Sequence, residues 1–162
     1  MSVTAAVIMS TAVVSIKPGA SILDAIKSLT EHKISGLPVV DAEHRVVGIV
    51  SEKDILGYAS QLHVVPLRGS SGWVSPYTDV SQLVRVKEGY DLLSREKVEK
   101  IMSKKVVVIQ ESTPLGEIAS LMKKKNIHRI PVVNDAGKLS GIVTRADLLT
   151  YLAEEKTTEK VT

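Results

Sequence analysis

Two stretches of this chain set a hydroxyl and a carboxylate three residues apart, Ser51-Glu52-Lys53-Asp54 and Thr144-Arg145-Ala146-Asp147. Each follows a Gly-Ile-Val run (Gly48–Val50 and Gly141–Val143) and precedes apolar residues at helical spacing, so each stands where a strand gives way to a helix. Ser or Thr at such a corner is an N-cap, and an acid three residues on completes a capping arrangement. The same corner turns backbone N–H groups and the positive end of the helix dipole outward, which favours an anion. Spacing alone favours plain capping over binding. No other constellation offers chemistry. His32, His44, His63 and His128 have no metal-ligand spacing, there is no cysteine, and no Ser/His/Asp order stands at a meaningful interval. Catalysis is the least favoured function, and no metal is expected.

The elements that must position these corners occur twice. Lys33 to Leu56, KISGLPVVDAEHRVVGIVSEKDIL, matches Asn126 to Leu149, NIHRIPVVNDAGKLSGIVTRADLL, at a fixed offset of 93 residues without a gap. The coincident pairs include Pro38/Pro131, Val39/Val132, Gly48/Gly141 and Asp54/Asp147. The register continues upstream through Ile8-Met9-Ser10 and Ile101-Met102-Ser103, which bounds the copies at 8–56 and 101–149. Within each copy a β-branched run (Ala12–Ile16, Val106–Ile109) reads as a strand. An amphipathic helix follows, apolar at Ile22, Ala25, Ile26 and Leu29, and at Leu115, Ile118, Ala119 and Met122. Ser21 caps the first of these helices, and Thr113 with Pro114 at the first helical position caps the second. Two strands joined by the turns Asp41–Arg45 and Asn134–Lys138 come next, then helices over Glu52–Gln61 and Arg145–Glu154. The expected fold is α/β (α+β): two pseudo-symmetric β-α-β-β-α repeats packed through their sheets around a shared core. A copy of about 50 residues is too small for a comfortable independent domain.

At 162 residues, 44% apolar and 24% charged, the chain has the composition of a soluble globular domain. With no Phe, one Trp and four Tyr, its core must be aliphatic. The absence of cysteine suits a cytoplasmic location, and a formal charge of +3 falls short of a nucleic-acid-binding signature. The opening MSVTAAVIMSTAVVSI lacks a basic n-region and contains the start of the first repeat, so it reads as structure rather than a signal peptide. No run is long enough to span a membrane. Residues 57–100 form a linker or insertion, with an irregular loop Leu67–Pro76 around Trp73 and a helix REKVEKIM capped by Ser94. Trp73 reads first as a pin for that loop and second as a platform for a ligand or partner. The second repeat extends to 153, and 154–162 reads as a polar, frayed tail.

The doubled pattern, ISGLPVVD with GIVSEKD and IHRIPVVN with GIVTRAD, resembles a tandem pair of CBS domains, often called a Bateman module. The resemblance covers about 60% of the chain and carries no attached catalytic domain, as in a stand-alone CBS-pair protein. It implies a regulatory module that binds an adenosine-containing ligand (AMP, ADP, ATP or S-adenosylmethionine) in clefts between the copies. An adenine nucleotide would be a regulatory ligand, with no cofactor required. The family motif Gly-apolar-apolar-Ser/Thr-x-x-Asp falls on Gly48–Asp54 and Gly141–Asp147. By that match Asp54 and Asp147 accept hydrogen bonds from ribose hydroxyls, and Ser51 and Thr144 lie near the ribose-phosphate. His128-Arg129 before Ile130-Pro131 is similar to nucleotide-sensing CBS pairs, because Arg beside His gives phosphate a bidentate fork and a second donor. The first copy has Ser35-Gly36 before Leu37-Pro38, and Gly36 offers no side-chain donor, so the two pockets would be unequal. Leu37 and Ile130 are the expected apolar walls for adenine.

Competing functions are a structural scaffold with vestigial pockets and, less favoured, nucleic-acid binding through Lys104-Lys105, Lys123–Lys125 and Trp73. Retention of both Asp54 and Asp147 favours the sensor. CBS pairs generally dimerise through their helices. Ile55, Leu56, Tyr58, Leu148, Leu149, Tyr151 and Leu152 give more apolar helix surface than a thin sheet covers. A homodimer is expected, with a protein target of unspecified identity.

Overall fold

Residues 3–62 and 80–158 are described by the computed structural model. Trp73, the whole of its loop Leu67–Pro76 and His63 lie outside the described residues, as do 159–162 of the tail. Contacts between Cα atoms divide the chain into two compact units. One comprises Val14–Val39 and Val47–Lys104; the other comprises Met1–Val13, Val40–Val46 and Lys105–Thr162. The two chain copies are thus not the two units.

The unit built on the first copy contains α2 (Ile22–His32), most of β1 (Gly36–Val40) and β2 (Val46–Ser51), α3 (Glu52–Gln61) and α4 (Val80–Arg95). Helix α2 begins at the expected cap. Ser21 Oγ accepts from Asp24 N at 3.0 Å and Asp24 Oδ2 accepts from Ser21 N at 3.2 Å, a closed capping box. Ile22, Ala25 and Leu29 recur on one face and are buried with Leu37, Val39, Val50 and Ile55, an aliphatic core without a Phe. Helix α4 adds Leu93 to that core, so the segment between the copies is partly structural. Only Ile16, the last residue of the first β-branched run, reaches the ladder, in a parallel bridge to Val39. The residues before it connect segments of different units rather than form a strand.

The other unit holds α1 (Ala5–Ile8), the tip of the β1–β2 hairpin, β3 (Ile109–Gln110), α5 (Leu115–Lys125), β4 (Arg129–Val133), β5 (Leu139–Thr144) and α6 (Arg145–Thr158). Strand β3 lies parallel to β4, and β4 runs antiparallel to β5 with an irregularity between Val132 and Val133. Ile109, Ile118, Met122, Ile130, Val132, Val143 and Leu148 form its core with Ala5. Ala119, expected on the buried face of α5, is exposed. The cap of α5 also differs from expectation. Pro114 is the N-cap residue, and Thr113 Oγ1 accepts from Gln110 N at 3.1 Å, which leaves its hydroxyl committed to the preceding turn. Helix α6 continues to Thr158 because Glu154, Glu155 and Lys156 are helix formers with no breaker among them.

Two straps complete the units, each supplied by the start of the other copy of the repeat and the residues just before it. In the second unit, Leu115 N donates to Val3 O (2.9 Å), Ala5 N to Thr113 O (2.9 Å) and Ala6 N to Glu111 O (3.0 Å). Ser10 and Ile142 exchange both backbone bonds, at 2.9 and 3.0 Å. In the first unit, Ile22 N donates to Glu96 O (2.9 Å), Val98 N to Ala20 O (2.9 Å) and Glu99 N to Pro18 O (3.1 Å), and Ser103 exchanges with Ile49 at 2.9 and 3.0 Å. Each bond of one set maps onto the other at the repeat offset. These bonds explain why no helix forms over REKVEKIM. Residues 96–99 give their backbone groups to the start of α2, leaving a single 3-10 turn at Val98–Lys100. Ser94 lies at the end of α4 and donates to Asp91 O at 2.7 Å rather than capping anything.

Candidate functional site

Both hydroxyl–carboxylate pairs stand at the predicted corners. Ser51 ends β2 and caps α3; Thr144 ends β5 and is followed directly by α6. In the first, Ser51 N and Oγ both donate to Asp54 Oδ2, at 2.8 and 2.7 Å, and Asp54 N returns a long bond of 3.4 Å to Ser51 Oγ. In the second, Thr144 N and Oγ1 donate to Asp147 Oδ2, at 2.6 and 2.7 Å, and Asp147 N donates to Thr144 Oγ1 at 3.3 Å. Capping therefore engages one carboxylate oxygen at each corner. The other, Oδ1, takes no hydrogen bond from the described residues, yet no described side-chain oxygen is buried without a partner. Each Oδ1 is consequently open to solvent as an acceptor.

The amides can be accounted for in the same way, since a helix start leaves four N–H groups to satisfy. At the second corner Thr144 N and Asp147 N are held within the box, and Arg145 N donates to His128 O at 3.0 Å. At the first, Ser51 N and Asp54 N are held likewise, and Glu52 N donates to Ser35 O at 3.0 Å. Ala146 N and Lys53 N are the donors of the first turn without a partner among the described residues. The anion-attracting potential expected of a bare helix start is thus reduced to one amide per corner.

Those carbonyl bonds bring the second strand pair into the site. His128 and Arg129 adjoin the Thr144 corner, and Arg129 is the register partner of Thr144 across β4 and β5. His128 is exposed and Arg129 half-buried. Thr144, Asp147, His128 and Arg129 therefore gather at one place. Ser51 and Asp54 gather with Ser35 and the buried Gly36, where no cation replaces Arg129. The expected adenine walls lie elsewhere. Leu37 and Ile130 are fully buried in the two cores, and Pro38 and Pro131 are also enclosed, so these four side chains line no open surface. Sequence reasoning missed the Ser35 and His128 carbonyls, which no residue type signals, and the strap residues behind each corner. Ile8-Met9-Ser10 and Ile101-Met102-Ser103 did carry the signal for the straps, as part of the repeat.

Among the described residues there is no group of three or more His, Asp or Glu that could hold a metal, and no helix is long and apolar enough to cross a membrane.

The pattern that defines the CBS domain matches residues 5–61 and again 98–154. The chain belongs to the CBS-domain family. It is a tandem CBS pair with a mixed α/β fold. It is 33% identical over 135 residues to the uncharacterized protein MJ1426 of Methanocaldococcus jannaschii, covering 81% of this chain and 80% of that one. It is likewise 33% identical over 139 residues to the chloroplastic CBS domain-containing protein CBSX2 of Arabidopsis thaliana, covering 83% of this chain and 56% of the relative. Solved structures share the fold of the pair. CBSX2 in complex with AMP has a TM-score of 0.70 at 28% identity, covering 94% of this chain and 98% of that one. The CBS domain pair of protein MJ0100, in complex with 5-methylthioadenosine and S-adenosyl-L-methionine, has a TM-score of 0.70 at 25% identity, covering 96% and 99%.

Proposed function

We propose that this CBS pair is a non-enzymatic regulatory module that binds an adenosine-containing ligand of the AMP, ADP or ATP class at its hydroxyl–carboxylate corners and acts as a metabolite sensor. The observation that carries the reading is the same at both corners: a carboxylate whose Oδ2 is used for capping while Oδ1 stays open to accept from a ribose hydroxyl. Related CBS pairs hold AMP, or 5-methylthioadenosine and S-adenosyl-L-methionine, which share the adenosine half. Arg129, set opposite Thr144, supplies a cationic fork for phosphate and His128 a second donor, beside the open amide of Ala146. The first corner, with Gly36 in place of Arg129, suits a nucleoside or a weaker phosphate contact.

A second copy of the chain is the proposed protein partner. Leu149 and Leu152 are exposed, 68% and 49%, and border a groove of about 420 Å³ lined by Leu115, Ala119, Met122 and Leu148. Exposed apolar surface of this kind marks an interface. Calorimetric titration with AMP, ADP, ATP, S-adenosylmethionine and 5-methylthioadenosine tests the ligand. Binding of at least one, abolished when Asp54 and Asp147 are both changed to Ala, is the expected result. A flat response to the whole panel refutes the sensor and leaves the scaffold function.

A further inference from the structure

Gly48 and Gly141 hold the same place in the two corner strands, and at each a side chain would displace a methionine thioether. A Cβ on Gly48 would lie 2.5 Å from Met102 Sδ and 3.1 Å from its Cγ. On Gly141 it would run into the Met9 thioether, with Cγ of Met9 at 2.9 Å. Each methionine therefore presses its side chain onto the bare backbone of a strand that ends, three residues later, at Ser51 or Thr144. The residue after each methionine, Ser10 or Ser103, pairs through two backbone bonds with Ile142 or Ile49, the neighbour of that glycine. The strand is thus gripped at consecutive positions from one side, by its edge and by its face. A flexible, unbranched thioether suits such a contact because it fills an irregular gap without a branched Cβ to seat.

We propose that Met9 is a positioning residue for the Thr144–Asp147 corner and Met102 for the Ser51–Asp54 corner. The helix start can turn only as the strand before it is fixed; its sheet neighbour holds one edge of that strand, and the methionine strap holds the other edge and the face at the glycine. Each corner is then set by residues from the other copy of the repeat, and one can be disturbed without the other. As far as it concerns ligand, this inference rests on the proposed binding function. The positioning itself can be read from the amides of the two boxes.

Residue-resolved hydrogen exchange on the full chain tests it, in Met9→Ala, Met9→Leu and Gly141→Ala, with Met102→Ala as the mirror variant. Met9→Ala is expected to raise exchange at Ile142, Thr144 and Asp147 roughly tenfold, consistent with the loss of a packed methionine, while Ser51 and Asp54 stay unchanged. Met102→Ala is expected to do the reverse, and Met9→Leu to restore protection. Gly141→Ala, which forces the thioether off the strand, should reproduce Met9→Ala; if it fails to fold, the Met9 pair decides alone. A rise confined to Ser10 and Ile142, with Thr144 and Asp147 still protected, overturns the proposal. So does equal loosening of both corners, which marks general destabilisation. If AMP binds the wild-type chain, its affinity should fall in Met9→Ala and recover in Met9→Leu. If none of AMP, ADP, ATP, S-adenosylmethionine and 5-methylthioadenosine binds the wild-type chain, the proposed function fails, and the exchange pattern still decides the role of Met9.

Discussion

Arg129→Ala separates phosphate recognition from recognition of the nucleoside. Arg129 faces Thr144 across the strand pair, one residue ahead of the fully buried Ile130, so truncating it removes a cation at the corner and leaves the core beneath intact. The loss for a phosphate-bearing ligand is that of one charge-assisted hydrogen bond, about 1.5–3 kcal/mol. At about 1.4 kcal/mol per decade this is a roughly 10- to 150-fold rise in the AMP dissociation constant, with adenosine nearly unaffected. Asp147→Ala should behave differently. It removes the open Oδ1 and also the Oδ2 that receives Thr144 N at 2.6 Å and Thr144 Oγ1 at 2.7 Å. AMP and adenosine should then weaken together, and the lost cap should lower stability by about 0.5–2 kcal/mol. Paired calorimetric titrations of AMP and adenosine against both variants, with urea unfolding of each, provide the measurement. Equal loss of adenosine binding in the two variants, or an AMP affinity untouched by Arg129→Ala, would refute this division of roles.

Three further outcomes follow from other residues. Asp24 lies below its ordinary value of 3.8 because Ser21 hydrogen-bonds its carboxylate, and Asp41 does so chiefly because the Arg45 amide donates to it. Both carboxylates are depressed in the folded chain, so their stabilisation is complete above pH 3.8 and is lost as pH falls through the lower folded values. The melting temperature should therefore drop as pH falls below 3.8 through the lower folded values, and drop less in Asp24→Asn/Asp41→Asn. His44 holds φ at 67°, where the second copy has Gly137 at 73°, so His44→Gly should stabilise the chain by about 0.5–1 kcal/mol in urea unfolding. Leu149→Glu or Leu152→Glu should convert a dimer to monomers in light scattering without unfolding the chain; a wild-type monomer at tens of micromolar refutes the dimer.

The repeat offset and the period of its apolar residues made most of this fold legible. Both copies carry the turn, strand and helix signals at matched positions, and each core is built from the aliphatic residues those periods pick out. The corners were legible for the same reason, because Ser51 with Asp54 and Thr144 with Asp147 stand at a change of period. What failed was whatever depends on a distant partner. REKVEKIM has helical composition, yet its backbone is taken by residues 18–22. Thr113 looks like a cap, yet its hydroxyl is committed to Gln110. Leu37 and Ile130 look like pocket walls because apolar residues next to a binding motif serve equally well as core, and here both are enclosed. Pattern reports which face of an element is apolar, not which neighbour covers it.

The exchange of straps also has a consequence for the order in which the chain is made. Ser10 leaves the ribosome long before Ile142, its partner 132 residues later, and Ser103 follows Ile49 by 54. At about 5–20 residues per second, the early strap waits roughly 7–26 s for the strand it must join. The Met102 strap closes on a strand already made, whereas Met9 must wait for a strand still to come. During translation the first unit can therefore close while the second is still being made, and the segment holding Met9 spends that interval with its apolar side chain uncovered.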